Sequence, residues 1–95
     1  MGSYLVRIKV LPTGPEVPSQ QLLDSVKGRL EKDMVLKNSK EEPIAFGLYS
    51  LTIDIVTPEV EGMNDKVELA VAAAPLVAQS ELIGASRLSS QLKNL

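Results

Sequence analysis

Residues 48–56 read Leu48-Tyr49-Ser50-Leu51-Thr52-Ile53-Asp54-Ile55-Val56, and this stretch decides the fold. Apolar and polar side chains alternate along it, and a period of two is typical of a strand with one buried face. Tyr49, Leu51, Ile53 and Ile55 point one way, while Ser50, Thr52 and Asp54 point the other. The pattern predicts a half-buried strand that ends at Pro58.

The residues before this strand predict a strand, a helix and a second strand. Residues 4–11 alternate as well, and the proline- and glycine-rich segment 12–18 ends that strand. Apolar residues then recur at helical spacing over residues 19–31, with Gly28 inside the predicted helix. Residues 34–40 predict a weaker strand that is polar on one side.

The residues after it predict a second helix and a less regular end. Asp65 and Glu68 have the spacing of a capping box, and apolar residues then share a helical face as far as Pro75. Residues 77–88 have an ambiguous pattern in which Leu82 and Ile83 could support a short strand. Residues 89–95 are predicted to be a polar C-terminal tail.

The element order predicts an α+β fold over residues 1–88. Strand, helix, strand, strand, helix, strand is the order of a ferredoxin-like βαββαβ two-layer sandwich, with a four-stranded antiparallel sheet and both helices on one face. Proteins with this fold have many different functions, so the fold alone does not indicate what this chain does.

Composition excludes several function classes. The chain has 95 residues, enough for one domain, with a net charge of −2, no Cys and no His. The Ser-His-Asp and Cys-His types of catalytic site are therefore excluded, and an enzyme would have to work with carboxylates, lysines or hydroxyls alone. We therefore expect a binding protein without a cofactor or metal, not an enzyme. A net negative charge argues against nucleic acid as a direct partner. The chain has no apolar run long enough to cross a membrane and no signal-peptide core, so a cytoplasmic location is expected.

The motif Glu41-Glu42-Pro43-Ile44-Ala45-Phe46-Gly47-Leu48 contains the only Phe of the chain. Pro43 and Gly47 are turn-forming residues, and we expect them to fix the turn that holds Phe46. Two roles for Phe46 remain open: a core residue at one end of the sheet, or a contact anchor on a partner. Ile44 is predicted to be a core residue.

The chain resembles the nucleotide-exchange domain of translation elongation factor 1-beta in its short archaeal form. Residues 41–48 are similar to the family signature along their whole length. Residues 1–12 resemble the family's first strand, residues 15–17 its continuation, and residues 59–62 the loop before its second helix.

The resemblance implies a guanine nucleotide exchange factor that promotes GDP release from the elongation factor 1-alpha GTPase in its GDP-bound form. It also implies that the aromatic of the central motif, here Phe46, lies at the interface. A basic residue near the family's C-terminus reaches toward the magnesium site of the GTPase, and Arg87 matches it, although related domains carry Lys there. Lys93 in the tail is the alternative cation.

Other charged residues have simpler explanations that stay open. Arg7 and Lys9 lie on the outward face of the first strand, where they either solubilise the domain or dock on an acidic patch of the GTPase. An acidic solvated loop is expected at residues 59–65. The alternative function is an RNA-binding or small-ligand regulatory module on the same fold. The oligomeric state does not follow from the sequence.

Overall fold

The computed structural model describes residues 2–88. Seven elements follow one another along the chain: β1 (Ser3–Pro12), α1 (Ser19–Lys27), β2 (Val35–Pro43), a short 3-10 turn (Ala45–Gly47), β3 (Tyr49–Pro58), α2 (Met63–Ala72) and β4 (Val77–Leu88). The predicted order of strands and helices is confirmed.

The four strands form one antiparallel sheet in the order β2-β3-β1-β4. The two most regular strands of the sequence, β1 and β3, are its centre, and β2 and β4 are its edges. This is the strand order of the ferredoxin-like fold, so the predicted fold class is confirmed.

The core lies between the sheet and the two helices. Every second residue of β1 and β3 is buried against Leu22 and Val26 of α1 and against Val67 and Val71 of α2. Both helices therefore cover the same face of the sheet. The other face, called the open face below, has no helix on it.

Two helix boundaries differ from the sequence prediction. Helix α1 ends at Lys27 and Gly28 is its C-cap, so this glycine lies outside the helix and the prediction of an interior glycine was wrong. Helix α2 begins at Met63 after Gly62, whose φ of 86° is favourable only for glycine. Asp65 thus lies in the first turn and makes no capping box, although its negative charge suits the positive end of the helix.

Strand β4 is longer than the short strand expected. Its register against β1 shifts between Arg7 and Ile8, where Gly84 and Leu82 are the partners and Ile83 is the extra residue of a bulge. The bulge breaks the alternation in the sequence, which explains the ambiguous pattern. Among residues 2–88, no helix is long and apolar enough to cross a membrane.

Candidate functional site

The turn between β2 and β3, residues Ala45–Gly47, is called the hairpin tip. The Ile44 amide donates to the Leu48 carbonyl at 2.8 Å, and the Leu48 amide donates to the Ala45 carbonyl at 3.1 Å. These two bonds close the loop directly beyond the last strand pair, Pro43 and Tyr49. The tip is therefore a tight, hydrogen-bonded projection from one end of the sheet.

Phe46 has a strained backbone and an exposed side chain. Its φ and ψ are 63° and 35°, in the left-handed region, and its side chain is 94% exposed. A left-handed conformation costs a residue with a β-carbon about 1–2 kcal/mol. The structure thus excludes the core role for Phe46, and it holds a large aromatic in water at the expense of backbone strain.

Leu76 is a useful comparison for the backbone strain at Phe46, because it also has a positive φ. It is the other non-glycine residue with a positive φ in the part of the chain that the structure describes, at 74°. The Leu76 side chain packs against the core, and its carbonyl accepts a hydrogen bond from the Thr13 amide at 3.0 Å. Burial and hydrogen bonding compensate for the strain there. Phe46 has no comparable burial and is held only by the hydrogen bonds that close the tip, and backbone strain of this kind is concentrated at binding and active sites.

The loop between β1 and α1 packs beside the hairpin tip. The Tyr49 hydroxyl, which is buried, donates to the Val17 carbonyl at 2.8 Å. A β-carbon on Gly47 would lie 4.0 Å from the β-carbon of Pro15, an ordinary contact distance. Ile44 is 45% exposed, so its prediction as a core residue was wrong. Pro15, Ile44 and Phe46 are therefore among the exposed apolar residues at this end of the sheet.

Arg87 lies at the opposite end of the sheet. It pairs with Tyr4 on β1, and Tyr4 pairs with Thr57 near the end of β3. Tyr49 is eight positions from Thr57 along β3, which at 3.3 Å per residue separates Arg87 from the hairpin tip by roughly 26 Å. The structure does not bring Arg87 and Phe46 together.

The Arg87 guanidinium is paired with a carboxylate of the β3–α2 loop. One of its terminal nitrogens lies 2.8 Å from Oε2 of Glu59, with the Arg87 side chain 65% and the Glu59 side chain 26% exposed. Because the Arg87 side of the pair is largely exposed to solvent, the pair contributes little to stability, and Arg87 can leave Glu59 at low cost. Lys93, the alternative cation, lies outside the described residues.

Arg7 and Lys9 both lie on the open face, but their charges have different neighbours. Nε of Arg7 lies 2.7 Å from Oδ1 of Asp54, and its terminal nitrogen lies 3.1 Å from Oδ2, a bidentate pair between the two central strands. This hydrogen bonding raises the pKa of Arg7 and lowers the pKa of the Asp54 carboxyl. Lys9 lies opposite Thr52 on β3 and Glu81 on β4. Arg7 thus has its charge compensated within the chain.

Sequence reasoning missed the role of Asp54. Arg7 and Asp54 are 47 positions apart and meet because the β1–β3 register places them directly opposite. The sequence does contain the two charges of this pair, an acidic residue on the polar face of β3 and a basic residue on the polar face of β1. Pairing them requires the register between the two strands, which the sequence alone does not give.

Neither tyrosine lies on the open face. Tyr49 is buried in the core, and Tyr4 packs against it. Phe46 is at the tip, beyond the strands. Over residues 2–88, no group of three or more acidic, His or Cys side chains is arranged to hold a metal ion.

Residues 5–88 match the EF-1 guanine nucleotide exchange domain family. The chain belongs to this family. Among curated relatives, elongation factor 1-beta of Methanocaldococcus jannaschii is 37% identical over 87 residues, which cover 90% of this chain and 98% of the relative. Elongation factor 1-beta of Methanococcus maripaludis is 34% identical, with coverage of 87% and 94%.

A solved structure supports the fold. The C-terminal domain of the MgtC protein from Mycobacterium tuberculosis superposes with a TM-score of 0.57 at 15% identity, covering 90% of this chain and 88% of that domain. At this identity the likeness concerns the fold alone. Family membership, in contrast, supports a role as a nucleotide exchange factor in translation elongation.

Proposed function

We propose that this protein binds the elongation factor 1-alpha GTPase in its GDP-bound form and promotes GDP release during translation elongation in the cytoplasm. The observation that carries the proposal is the strained, exposed Phe46 at the hairpin tip of a chain in the exchange-domain family. The protein acts by binding and needs no covalent step, which suits a chain without His or Cys.

Phe46 is the proposed anchor on the GTPase. An aromatic side chain buries a large apolar area with few rotatable bonds, and such residues contribute much of the free energy of protein interfaces. The bonds that close the tip hold the Phe46 backbone in one conformation before the partner arrives. The tip therefore needs little further ordering when the GTPase binds. Pro43 and Gly47 contribute indirectly, because they define the turn.

Arg87 is the proposed cation that acts on the magnesium site of the GTPase. Magnesium bridges a GTPase to its nucleotide phosphates and neutralises their charge. A guanidinium that enters this region repels the ion and replaces part of its charge, which weakens GDP binding. By linkage, the exchange factor and GDP weaken each other by the same factor. Arg87 must first leave Glu59, and the exposure of the Arg87 side chain keeps the free-energy cost of this step low.

The two proposed contacts define the footprint of the partner. They lie roughly 26 Å apart along the sheet, so one GTPase must contact both ends of the domain to meet Phe46 and Arg87 together. Lys9, and Arg7 to the extent that Asp54 leaves its charge uncompensated, would act through long-range attraction and so mainly on the association rate.

The alternative of an RNA-binding module has less support. Single-stranded RNA is recognised on such a sheet by aromatic side chains that stack on bases at the open face. Tyr4 and Tyr49 point to the core side, and the net charge is −2. No observation favours this alternative over nucleotide exchange.

The test is GDP release from the cognate elongation factor 1-alpha. The GTPase is loaded with fluorescent GDP and mixed with excess unlabelled nucleotide, with and without micromolar exchange factor. We expect a release rate that rises and saturates with exchange-factor concentration. A rate that stays at the intrinsic value across this range would contradict the proposal.

A further inference from the structure

The buried hydroxyl of Tyr49 connects the two loops at the Phe46 end of the sheet. Tyr49 is the first residue of β3, directly after the hairpin, and Val17 lies in the β1–α1 loop. The hydroxyl donates to the Val17 carbonyl at 2.8 Å. The ring is 6% exposed and belongs to the core cluster, so the position of this bond is fixed by packing.

The same loop also comes close to the tip at Pro15, two residues before Val17. A β-carbon placed on Gly47 would lie 4.0 Å from the β-carbon of Pro15, so there is little free space between the two residues. Gly47 has a φ of 77° and follows Phe46 directly. The loop therefore contacts Tyr49 through the hydroxyl, and through Pro15 it lies close to Gly47 on the other side of Leu48.

We infer that Tyr49 is a positioning residue that, through its bond to the Val17 carbonyl, holds the β1–α1 loop against the hairpin and so aims Phe46. The loop acts as a buttress that limits movement of the tip relative to the sheet. The contribution of Tyr49 to nucleotide exchange rests on the proposed function, whereas its effect on the tip does not.

The environment of Tyr49 keeps the hydroxyl a donor. Burial, and then the nearby Glu41 carboxylate, raise the pKa of Tyr49 above its ordinary value. The hydroxyl thus stays protonated at neutral pH, and the Val17 carbonyl keeps its partner.

The first test uses Tyr49→Phe, which removes the hydroxyl and keeps the ring in the core. We measure amide hydrogen exchange at Ile44 and Leu48, whose amides close the tip. Exchange at both is expected to speed up about 5-fold relative to wild type, while exchange in α2 stays the same. Tyr4→Phe, the same change on β1 at the opposite end of the sheet, is the matched control and should leave both amides unaffected. Unchanged protection in Tyr49→Phe would overturn the inference.

The second test is a double-mutant cycle in the GDP-release assay. Tyr49→Phe is expected to raise the half-saturating concentration of exchange factor about 5-fold and to leave the maximal rate within twofold. In a Phe46→Ala background the same change should have almost no further effect, since it acts through Phe46. An equal 5-fold effect in that background would show that Tyr49 acts independently and would overturn the inference.

The two tests separate the inference from the proposed function. If wild-type protein does not accelerate GDP release, the proposed function fails and the amide-exchange result still decides whether Tyr49 holds the tip. If wild type is active but Tyr49→Phe changes neither protection nor half-saturation, the inference alone fails.

Discussion

The hairpin tip and the Arg87 end of the sheet hold their exposed side chains in different ways. At the tip, Phe46 is fixed by its own backbone, in a left-handed conformation closed by hydrogen bonds on both sides. At the other end, Arg87 continues a regular strand and is held only by its guanidinium, on Glu59. A backbone lock fixes where a side chain points. A side-chain ion pair on the surface can exchange partners at little cost.

This difference suits two different tasks. A rigid anchor reduces the conformational entropy lost on binding, so we infer that Phe46 contributes mainly to affinity. A cation that must enter a neighbouring ion site has to move, so we infer that Arg87 contributes mainly to the rate of GDP release once the complex has formed. Of the four predictions below, the first two test whether affinity and rate separate in this way, and the other two test what stabilises the regions that are compared.

The largest effect is expected for Phe46→Ala. An anchor that contributes about 2 kcal/mol to binding gives, on its removal, a roughly 30-fold higher half-saturating concentration in the exchange assay. The free energy of unfolding should change by less than about 0.5 kcal/mol, because the ring is exposed. Urea titration measures that second quantity.

Leu69→Ala is the matched control for Phe46→Ala. Leu69 is 70% exposed and belongs to α2, not to the hairpin, so its truncation removes a similarly exposed apolar side chain and leaves Phe46 in place. We expect exchange at the wild-type level. If the two variants have equal activity, Phe46 is not an anchor.

Arg87→Ala should have a smaller effect of another kind. With magnesium present, we expect the maximal release rate to fall about 10-fold while the half-saturating concentration changes less than threefold. After chelation of magnesium the variant should match wild type, since no ion is left to displace. Phe46→Ala should remain defective under both conditions.

A chain truncated after Leu88 tests whether Arg87 or Lys93 is the cation that acts on the magnesium site. It keeps Arg87 and removes Lys93, so full activity of the truncated chain together with a slow Arg87→Ala identifies Arg87. The opposite pair of results identifies Lys93. A slow maximal rate for Arg87→Ala that persists without magnesium would contradict the proposed action on the ion.

The third prediction concerns the open face between the two ends. Asp54→Asn removes the partner of Arg7, and we expect a loss of about 1 kcal/mol of stability at pH 7, a figure that allows for solvent screening of the half-exposed Arg7. Because the pKa of Asp54 is lower in the folded protein than in the unfolded chain, its contribution is complete above the unfolded pKa. It disappears as the pH falls through the folded pKa.

The difference in unfolding free energy between wild type and Asp54→Asn should therefore shrink between pH 7 and pH 3. Denaturant titrations at both pH values measure it. Asn38, which lies opposite Asp54 on β2, gives the control variant Asn38→Ala, for which a smaller loss is expected. A difference that grows toward low pH would show that the carboxylate is not the stabilising form.

The regular parts of this molecule were predictable because their signals are local. Alternation identified β1 and β3, and helical spacing identified α1 and α2. Strand β4 was obscured by its bulge at Ile83, since a bulge shifts the alternation by one residue. The Arg7–Asp54 pair depends on a register between distant strands, which no local pattern contains.

The site was only partly predictable for a related reason. Pro43 and Gly47 indicate a turn, but they do not say whether Phe46 points inward or outward. That choice depends on the left-handed backbone of Phe46, and such a conformation is unfavourable for an aromatic residue. Local preference therefore argues against the arrangement that the structure contains.

The last prediction tests the strain itself. Glycine adopts a positive φ without a penalty, whereas alanine does not, so Phe46→Gly should be more stable than Phe46→Ala by about 1 kcal/mol. The two variants lack the same ring and should be equally poor in nucleotide exchange. Thermal unfolding measures the first difference, and the exchange assay measures the second.

Arg87→Gly and Arg87→Ala are the control pair at the other end of the sheet. The backbone there is an ordinary strand, so the glycine variant should be the less stable of the two. If glycine is also the less stable residue at position 46, the tip is not strained, and the two ends of the sheet differ in exposure alone.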